Sequence, residues 1–293
     1  MQDAYKKTLI SKVNEAVSLK PMARILRGIK NFTRKKDVLK MIKETQVKFT
    51  EAEIFTGDIM NVVVPDNVST ALYLNGCFEA DDSKALIESL NEGDTFIDIG
   101  AHIGYYSMLA SRLVGEKGKV ICFEPTPSTY GLLVKNLQSK KNVKAENLAA
   151  YSVQTNMEFN DYGLKYMVFN SFKKARLNDV DLVANHINVQ TTTLDNYCRL
   201  NAVTPSFIKI DAESVELHVL QGSIEMIKNS KPGFMIEVGD FEHIDAGSSY
   251  KIISFLTDLS YDVFEYNGNA FVKHEIIKTA YPTLNLYFFQ KKP

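Results

Sequence analysis

The sequence predicts a doubly wound α/β domain behind a helical extension. From Ser83 onward, short apolar runs alternate with amphipathic helical patterns, which argues for parallel strands with crossover helices on both faces. The first strand and helix of the series are joined by a glycine-bearing turn, in "FIDIGAHIGYYSMLA" at residues 96–110. Composition agrees with a globular chain: 45% hydrophobic, 24% charged, no long low-complexity tract. At 293 residues, one large domain with an extension fits better than two equal domains. The expected boundaries are 1–48 for the extension and 49–293 for the domain.

The extension is basic. Residues 1–48 hold thirteen Lys/Arg against four Asp/Glu, whereas the remainder holds twenty-one against thirty-one. Leu19, Met22, Leu26 and Ile29 recur at helical spacing, with Lys20, Arg24, Arg27 and Lys30 on other faces. A solvated helical cap on the domain is the plain expectation; a membrane-surface helix, a clamp for an acidic substrate or a homodimer through these helices are the alternatives. No nucleic-acid reader motif accompanies the charge, so no nucleic-acid partner is expected. No run of about 18 apolar residues suggests a membrane span or integral membrane association, and the N-terminal stretch lacks the apolar core of a secretory signal. Cys77, Cys122 and Cys198 form neither a disulfide framework nor a metal knuckle, which suits a reducing, cytoplasmic setting.

After the extension, the β-branched runs of "VKFTEAEIFTGDIMNVVVPDNVSTALYLNG" read as short antiparallel strands broken at Thr56–Asp58 and Pro65–Asn67. "SKALIESL" reads as a helix, "TFIDIG" as a buried strand, "YYSMLASRLV" as a helix and "KVICFE" as a strand. "STYGLLVKNLQSK" follows as a helix and "VKAENLA" as a strand. Residues 151–200 are less regular, with "MEFN" and "YMVFN" as candidate strands and "TTTLDNYCRL" leading into a helix. The alternation resumes with "SFIKID" (strand), "SVELHVLQGSIEMIKN" (helix), "GFMIEV" (strand) and "YKIISFLTDL" (helix). "YDVFEY" and "TLNLYFF" are the last two strands.

The glycine turn carries the chemical argument. In doubly wound sheets, ligands sit at the carboxyl ends of strands. Gly100 and Gly104 permit a tight turn, and the following helix offers free N–H groups and a positive dipole end. His102 stands where a GxGxxG dinucleotide fingerprint has its middle glycine, and GxxxxGK[ST] is absent. The loop therefore suits a ligand with a carboxylate for the helix end and an ammonium for Asp98, without a pyrophosphate. S-adenosylmethionine has both groups. Glu124 follows Gly104 by 20 residues, the distance at which an acid reaches ribose hydroxyls, and Pro125 ends its strand.

With these residues in view, the chain resembles the FkbM family of S-adenosylmethionine-dependent methyltransferases. "NGCFEADD", "FIDIGAHIGYYS", "VICFEPTPSTYGLLVKNL", "TTTLDNYC", "FIKIDAESVELHVLQG" and "MIEV" match that family's segments in order, from about Leu72 to Val238. The resemblance implies a seven-stranded, mostly parallel Rossmann-like class I methyltransferase fold, S-adenosylmethionine as cofactor, and usually methyl transfer to oxygen. It implies Asp98, Gly100 and Gly104 at the methionine end, Glu124 with Pro125 at the ribose, Glu79 approaching from the other side, and Asn147 and Ala149 beside the adenine. Two positions depart from the family pattern: His102 stands for Asn and Ser214 for Gly. Ser214 adopts φ > 0 less readily, or else caps the helix that follows.

Methyl transfer needs alignment, exclusion of water and, for a hydroxyl acceptor, a base. Asp211 and Glu213, at the end of the "FIKID" strand, are candidate bases, and Asp211 also a cofactor neighbour. Lys209 alternates with Asp211 and so shares its face. A pair of that kind is as readily structural as catalytic. Glu237, at another strand end, is a substrate-binding candidate. His243 is a candidate base in a loop over the acceptor. His102 is read as a loop hydrogen-bond donor beside the cofactor. Glu216 and His218 are read as a solvated or N-terminal-turn acid and a surface histidine. Tyr162, Tyr166, Phe169 and Phe172 are candidate walls or core residues. No compact ligand spacing such as HExxH is present, so no metal is expected. The expected activity is O-methylation of a hydroxyl or carboxylate on a metabolite, glycan or peptide. The alternatives are a non-catalytic scaffold that binds the same cofactor and an NAD-dependent oxidoreductase, the latter disfavoured by His102.

Overall fold

A helix with one apolar stripe opens the chain: α1 (Gln2–Val17) buries Leu9 and Val13, and the Lys6 ammonium donates to the Glu88 carbonyl at 3.1 Å. The computed structural model describes residues 2–17, 34–36, 38–41, 46–174, 183–240, 249–277 and 280–291. The stripe from Leu19 to Ile29 and His243 lie outside the described residues.

β1 (Lys48–Glu53) and β2 (Ile59–Val64) form the expected antiparallel hairpin. The third stretch does not extend it. Residues Asn67–Asn75 form helix α2, capped by Asp66, whose carboxylate accepts the Ser69 N–H at 2.9 Å, and ended by Gly76 at φ +70°. Strong local caps outweigh the β-propensity of Val68, Thr70 and Tyr73.

The remaining elements run α3 (Ala80–Ser89), β3 (Thr95–Ile99), α4 (Tyr105–Val114), β4 (Lys119–Phe123), α5 (Pro127–Leu137), β5 (Val143–Glu146), β6 (Ala149–Ala150), β7 (Asn156–Asp161), β8 (Asn185–Thr192), α6 (Leu194–Asn201) and β9 (Phe207–Ile210). Then come α7 (Glu216–Gln221), α8 (Ile224–Ser230), β10 (Gly233–Val238), α9 (Ser249–Asp258), β11 (Tyr261–Tyr266), β12 (Phe271–Lys273) and β13 (Leu284–Gln290). Among the described residues the main sheet has the order β12-β11-β13-β10-β9-β3-β4-β5. The five strands from β10 to β5 pair in parallel and β13 inserts antiparallel. This is the seven-stranded arrangement expected, extended by the three-residue edge strand β12. Helices pack both faces, which is why β9 is buried at every position.

Strand order reverses between β3 and β9, so their carboxyl ends open a crevice there. A small sheet, β6-β8-β7, lies after β5. "MEFN" forms β7, but "YMVFN" is not a strand. Met167–Phe169 is a single 3-10 turn, because Asn160 and Ser171 bridge across it and the Asn170 side chain captures the Tyr162 N–H at 2.7 Å. The single helix expected over 214–229 is broken at Gly222, where a Cβ would lie 2.2 Å from the Tyr151 carbonyl oxygen. The three cysteines are buried and free. Among the described residues, no helix is long and apolar enough to cross a membrane.

Candidate active site

The crevice between β3 and β9 holds a cavity of about 290 Å³. Gly100 and Asp211 extend these two strands into its wall. Gly100 has φ +73°, and a Cβ there would lie 1.7 Å from the Asp211 carbonyl oxygen. Only glycine lets the two strand ends approach so closely. Gly104, at φ +89°, opens α4.

Beneath the loop, Asp98 is fully buried and faces Lys209 across the strand pair. Its Oδ2 accepts the Ser107 hydroxyl at 2.6 Å, while Oδ1 has no hydrogen-bond partner among the described residues. Burial raises its pKa despite the Lys209 charge. Lys209, itself only 3% exposed, donates to Asp211 Oδ2 at 2.7 Å. Burial opposes the Lys209 charge, but the Asp211 and Asp98 carboxylates overcome it and hold the ammonium above its ordinary range. Burial would likewise raise Asp211, yet Lys209 keeps it below the usual carboxylate range.

Glu124 closes the other side. Its Oε2 accepts the His102 N–H at 3.1 Å and its Oε1 the Thr126 N–H at 2.9 Å, so it pins the glycine loop to the end of β4. Burial pushes this carboxyl up to about 7. Glu79, at φ +41° before α3, accepts the Tyr106 hydroxyl at 2.7 Å and is pushed up to about 7, chiefly by burial. Glu216 is the first-turn acid of α7, one of the two expected places for it, rather than a solvated one. It is buried, and its Oε1 accepts the N–H groups of Ala212 and Ser214 at 3.0 and 3.1 Å, which shapes the loop after β9. Its carboxyl too is raised to about 7 by burial. Ser214 has φ +74°, and the cap position before α7 is taken by Val215, so Ser214 is not the cap. His218 stacks on Tyr151 with ring centroids 4.6 Å apart.

Of the residues singled out in the sequence, Glu79, Gly100, His102, Glu124, Pro125, Ala149, Asp211, Glu213 and Glu237 line the cavity. Asp98, Gly104, Asn147, Lys209 and Tyr166 are not in its lining. Asp98 and Lys209 support it from below, and Asn147 Nδ2 donates to the Glu124 and Pro125 carbonyls at 2.9 and 3.0 Å. Phe169 and Phe172 are wall residues; Tyr162 is buried behind the wall. The sequence did not point to Asn67, Phe159 or Met167 in the wall. Asp66–Asn67 had a readable signal, a cap residue before helical spacing; Phe159 and Met167 had none.

Asp211, Glu213 and Glu237 bring carboxylate oxygens within 4.8 Å of one another, a convergence that spacing along the chain does not reveal. The Lys209 ammonium balances one of these charges.

The cavity fits S-adenosylmethionine. Ile99, Phe123, Leu148 and Ala149 offer apolar wall for an adenine, and Glu124, with one acceptor position used by the glycine loop and one by Thr126, retains others for ribose hydroxyls. Acidic walls at Glu79 and Asp211 suit a ligand with an ammonium and a sulfonium.

The methyltransferase FkbM domain matches residues 98–263, more than half the chain. No curated protein sequence matches significantly. Among solved structures, the chain is similar to the methyltransferase FkbM from Methylobacillus flagellatus KT, with 16% identity and TM-score 0.41 over 76% of this chain and 55% of that one. The chain thus spans little more than half the length of that structure. It is also similar to Aeropyrum pernix fibrillarin bound to S-adenosyl-L-methionine (11% identity, TM-score 0.38, 69% of this chain and 68% of that one). A third is an S-adenosylmethionine-dependent O-methyltransferase from Thermotoga maritima (12% identity, TM-score 0.37, 74% and 67%). With that domain spanning the glycine loop, the acid at the end of β4 and the strand bearing Asp211, the chain belongs to the FkbM family of methyltransferases, and its cofactor is S-adenosylmethionine.

Proposed function

We propose that the chain is an O-methyltransferase acting on a hydroxyl rather than a carboxylate. The observation that carries this reading is the acidic face of the cavity, where Asp211, Glu213 and Glu237 stand together. A carboxylate acceptor would face three converging carboxyl groups, of which Asp211 is ion-paired to Lys209. A hydroxyl acceptor donates a hydrogen bond to such a face and needs a base, which one of these acids supplies.

When bound, S-adenosylmethionine supplies an electrophilic methyl group on a sulfonium. The residues of this chain provide the rest. Lys209 holds Asp211 ionised and oriented. Glu213 and Glu237 accept the acceptor's proton or position its hydroxyl groups. The apolar wall of Phe159, Phe169 and Phe172 excludes water from the reacting atoms. Three free, buried cysteines are consistent with a cytoplasmic setting. Acceptors compatible with the face are hydroxylated metabolites, glycans or peptides.

The test uses methyl-labelled cofactor with fractionated hydroxylated and carboxylated acceptors. Label in base-stable ethers supports the reading. Label released as methanol by mild alkali, the behaviour of methyl esters, overturns it. Cofactor binding without transfer to any fraction would favour the scaffold alternative.

A further inference from the structure

His102 and Asp66 form a shielded acid–imidazole pair beside the cavity. His102 Nε2 lies 3.8 Å from Asp66 Oδ1, too far for a hydrogen bond. Both ring nitrogens and that oxygen are shielded from solvent and have no hydrogen-bond partner among the described residues. Their backbones are fixed. Asp66 Oδ2 caps Ser69 at 2.9 Å, and the His102 N–H is held by Glu124 at φ +52°. Asn67 and Val68, which follow Asp66, line the cavity together with His102.

Such a pair has two charge states. Protonated, the imidazolium is attracted to the buried Asp66 carboxylate; neutral, it leaves the gap open. Burial holds the imidazole below its ordinary range, with Asp66 and Asp211 favouring the charge and Lys209 opposing it. A sulfonium in the same cavity adds a positive charge and so disfavours the imidazolium further. A thioether does not.

Resting on the methyltransferase reading, we infer that His102, held by Asp66, discriminates the charged methyl donor from the uncharged spent cofactor. The imidazole is neutral while the sulfonium is present, and it takes a proton from solvent when only the thioether remains. His102 thereby weakens donor binding relative to product binding as pH falls. The charged groups facing it are Asp66 at the start of α2, Glu124 at the end of β4, Lys209 on β9 and Asp211 just after it, with Glu79 on the cavity wall. Glu79 and Glu124, both raised to about 7, respond to a sulfonium in the same direction, so the informative comparison is between variants.

The experiment titrates the full-length chain calorimetrically with S-adenosylmethionine and with S-adenosylhomocysteine from pH 5 to 8. Two buffers of different ionisation enthalpy count the protons released. In the wild type the ratio of the two dissociation constants, donor over product, rises as pH falls. His102 contributes up to about tenfold per pH unit. His102→Asn, which tolerates the left-handed backbone, loses that contribution and releases fewer protons on donor binding. Asp66→Asn, which can still cap Ser69, moves the effect to lower pH. An equal slope and proton count in His102→Asn and wild type overturns the inference while leaving cofactor binding intact. Failure of the wild type to bind either ligand at any pH overturns the methyltransferase reading itself.

Discussion

The carbonyl oxygen of Asp211 occupies the space that a side chain on Gly100 would need, with a Cβ-to-oxygen separation of 1.7 Å. The clash is with backbone, so no rotamer change relieves it, and Gly100 also has φ +73°. Gly100→Ala is expected to cost about 3 kcal/mol or more. A thermal melt should show a loss of several degrees together with abolished S-adenosylhomocysteine binding. An unchanged melt would contradict the close approach of β3 and β9.

The Ser107 hydroxyl donates to the buried Asp98 carboxylate, whose other oxygen has no hydrogen-bond partner among the described residues. Ser107→Ala removes the hydroxyl donor from this buried carboxylate and is expected to destabilise the chain by about 2 kcal/mol. The midpoint of urea unfolding reads this directly. Ser107→Thr, which restores the hydroxyl, should recover part of the loss.

Glu216 carries a pH signature. Its carboxyl is raised in the fold to about 7 from an ordinary 4.5, with burial the main cause. A raised acid stabilises the fold fully below its unfolded pKa, and that contribution is lost as pH rises through the folded value. Glu216→Gln keeps an oxygen for the Ala212 and Ser214 N–H groups but does not titrate. Relative to wild type, the variant should therefore gain melting temperature between pH 5 and 7 and level off above. A difference that is flat with pH would refute the burial of a titrating carboxyl there.

Most of this fold was legible because the signals were local and repeated. The alternation from "TFIDIG" to "TLNLYFF" marks every strand of the seven-stranded arrangement. The failures were of two kinds. At Asn67–Asn75, at Gly222 and at Met167–Phe169, a cap, a crossing backbone or a side-chain hydrogen bond overrode the periodicity. In the site, Gly100 could be read because a tight turn demands glycine, Glu124 because an acid stands 20 residues beyond Gly104, and Asp211 because it ends a parallel strand. The meeting of Asp211, Glu213 and Glu237, the turn of Glu216 inward and the approach of Asp66 to His102 arise from tertiary packing, which no spacing encodes.

Phe172 lines the cavity and packs edge-on against Phe159, with ring centroids 4.9 Å apart. Phe172→Ala opens the wall without touching Glu124 or the glycine loop. The expected outcome is S-adenosylhomocysteine affinity within about threefold of wild type and faster hydrolytic loss of the methyl group, or slower transfer, where water enters. Labelled-methyl release measures this, and an equal loss of cofactor affinity would place Phe172 against the cofactor instead.

The central claim is that the glycine loop and Glu124 hold S-adenosylmethionine. The most direct measurement is calorimetric titration of the wild type and Glu124→Ala with S-adenosylhomocysteine, with NAD as control. The account expects wild-type binding of S-adenosylhomocysteine alone, weakened at least about tenfold in the variant by loss of charge-assisted hydrogen bonds. NAD binding in its place, or equal S-adenosylhomocysteine affinity in a folded Glu124→Ala, would contradict it.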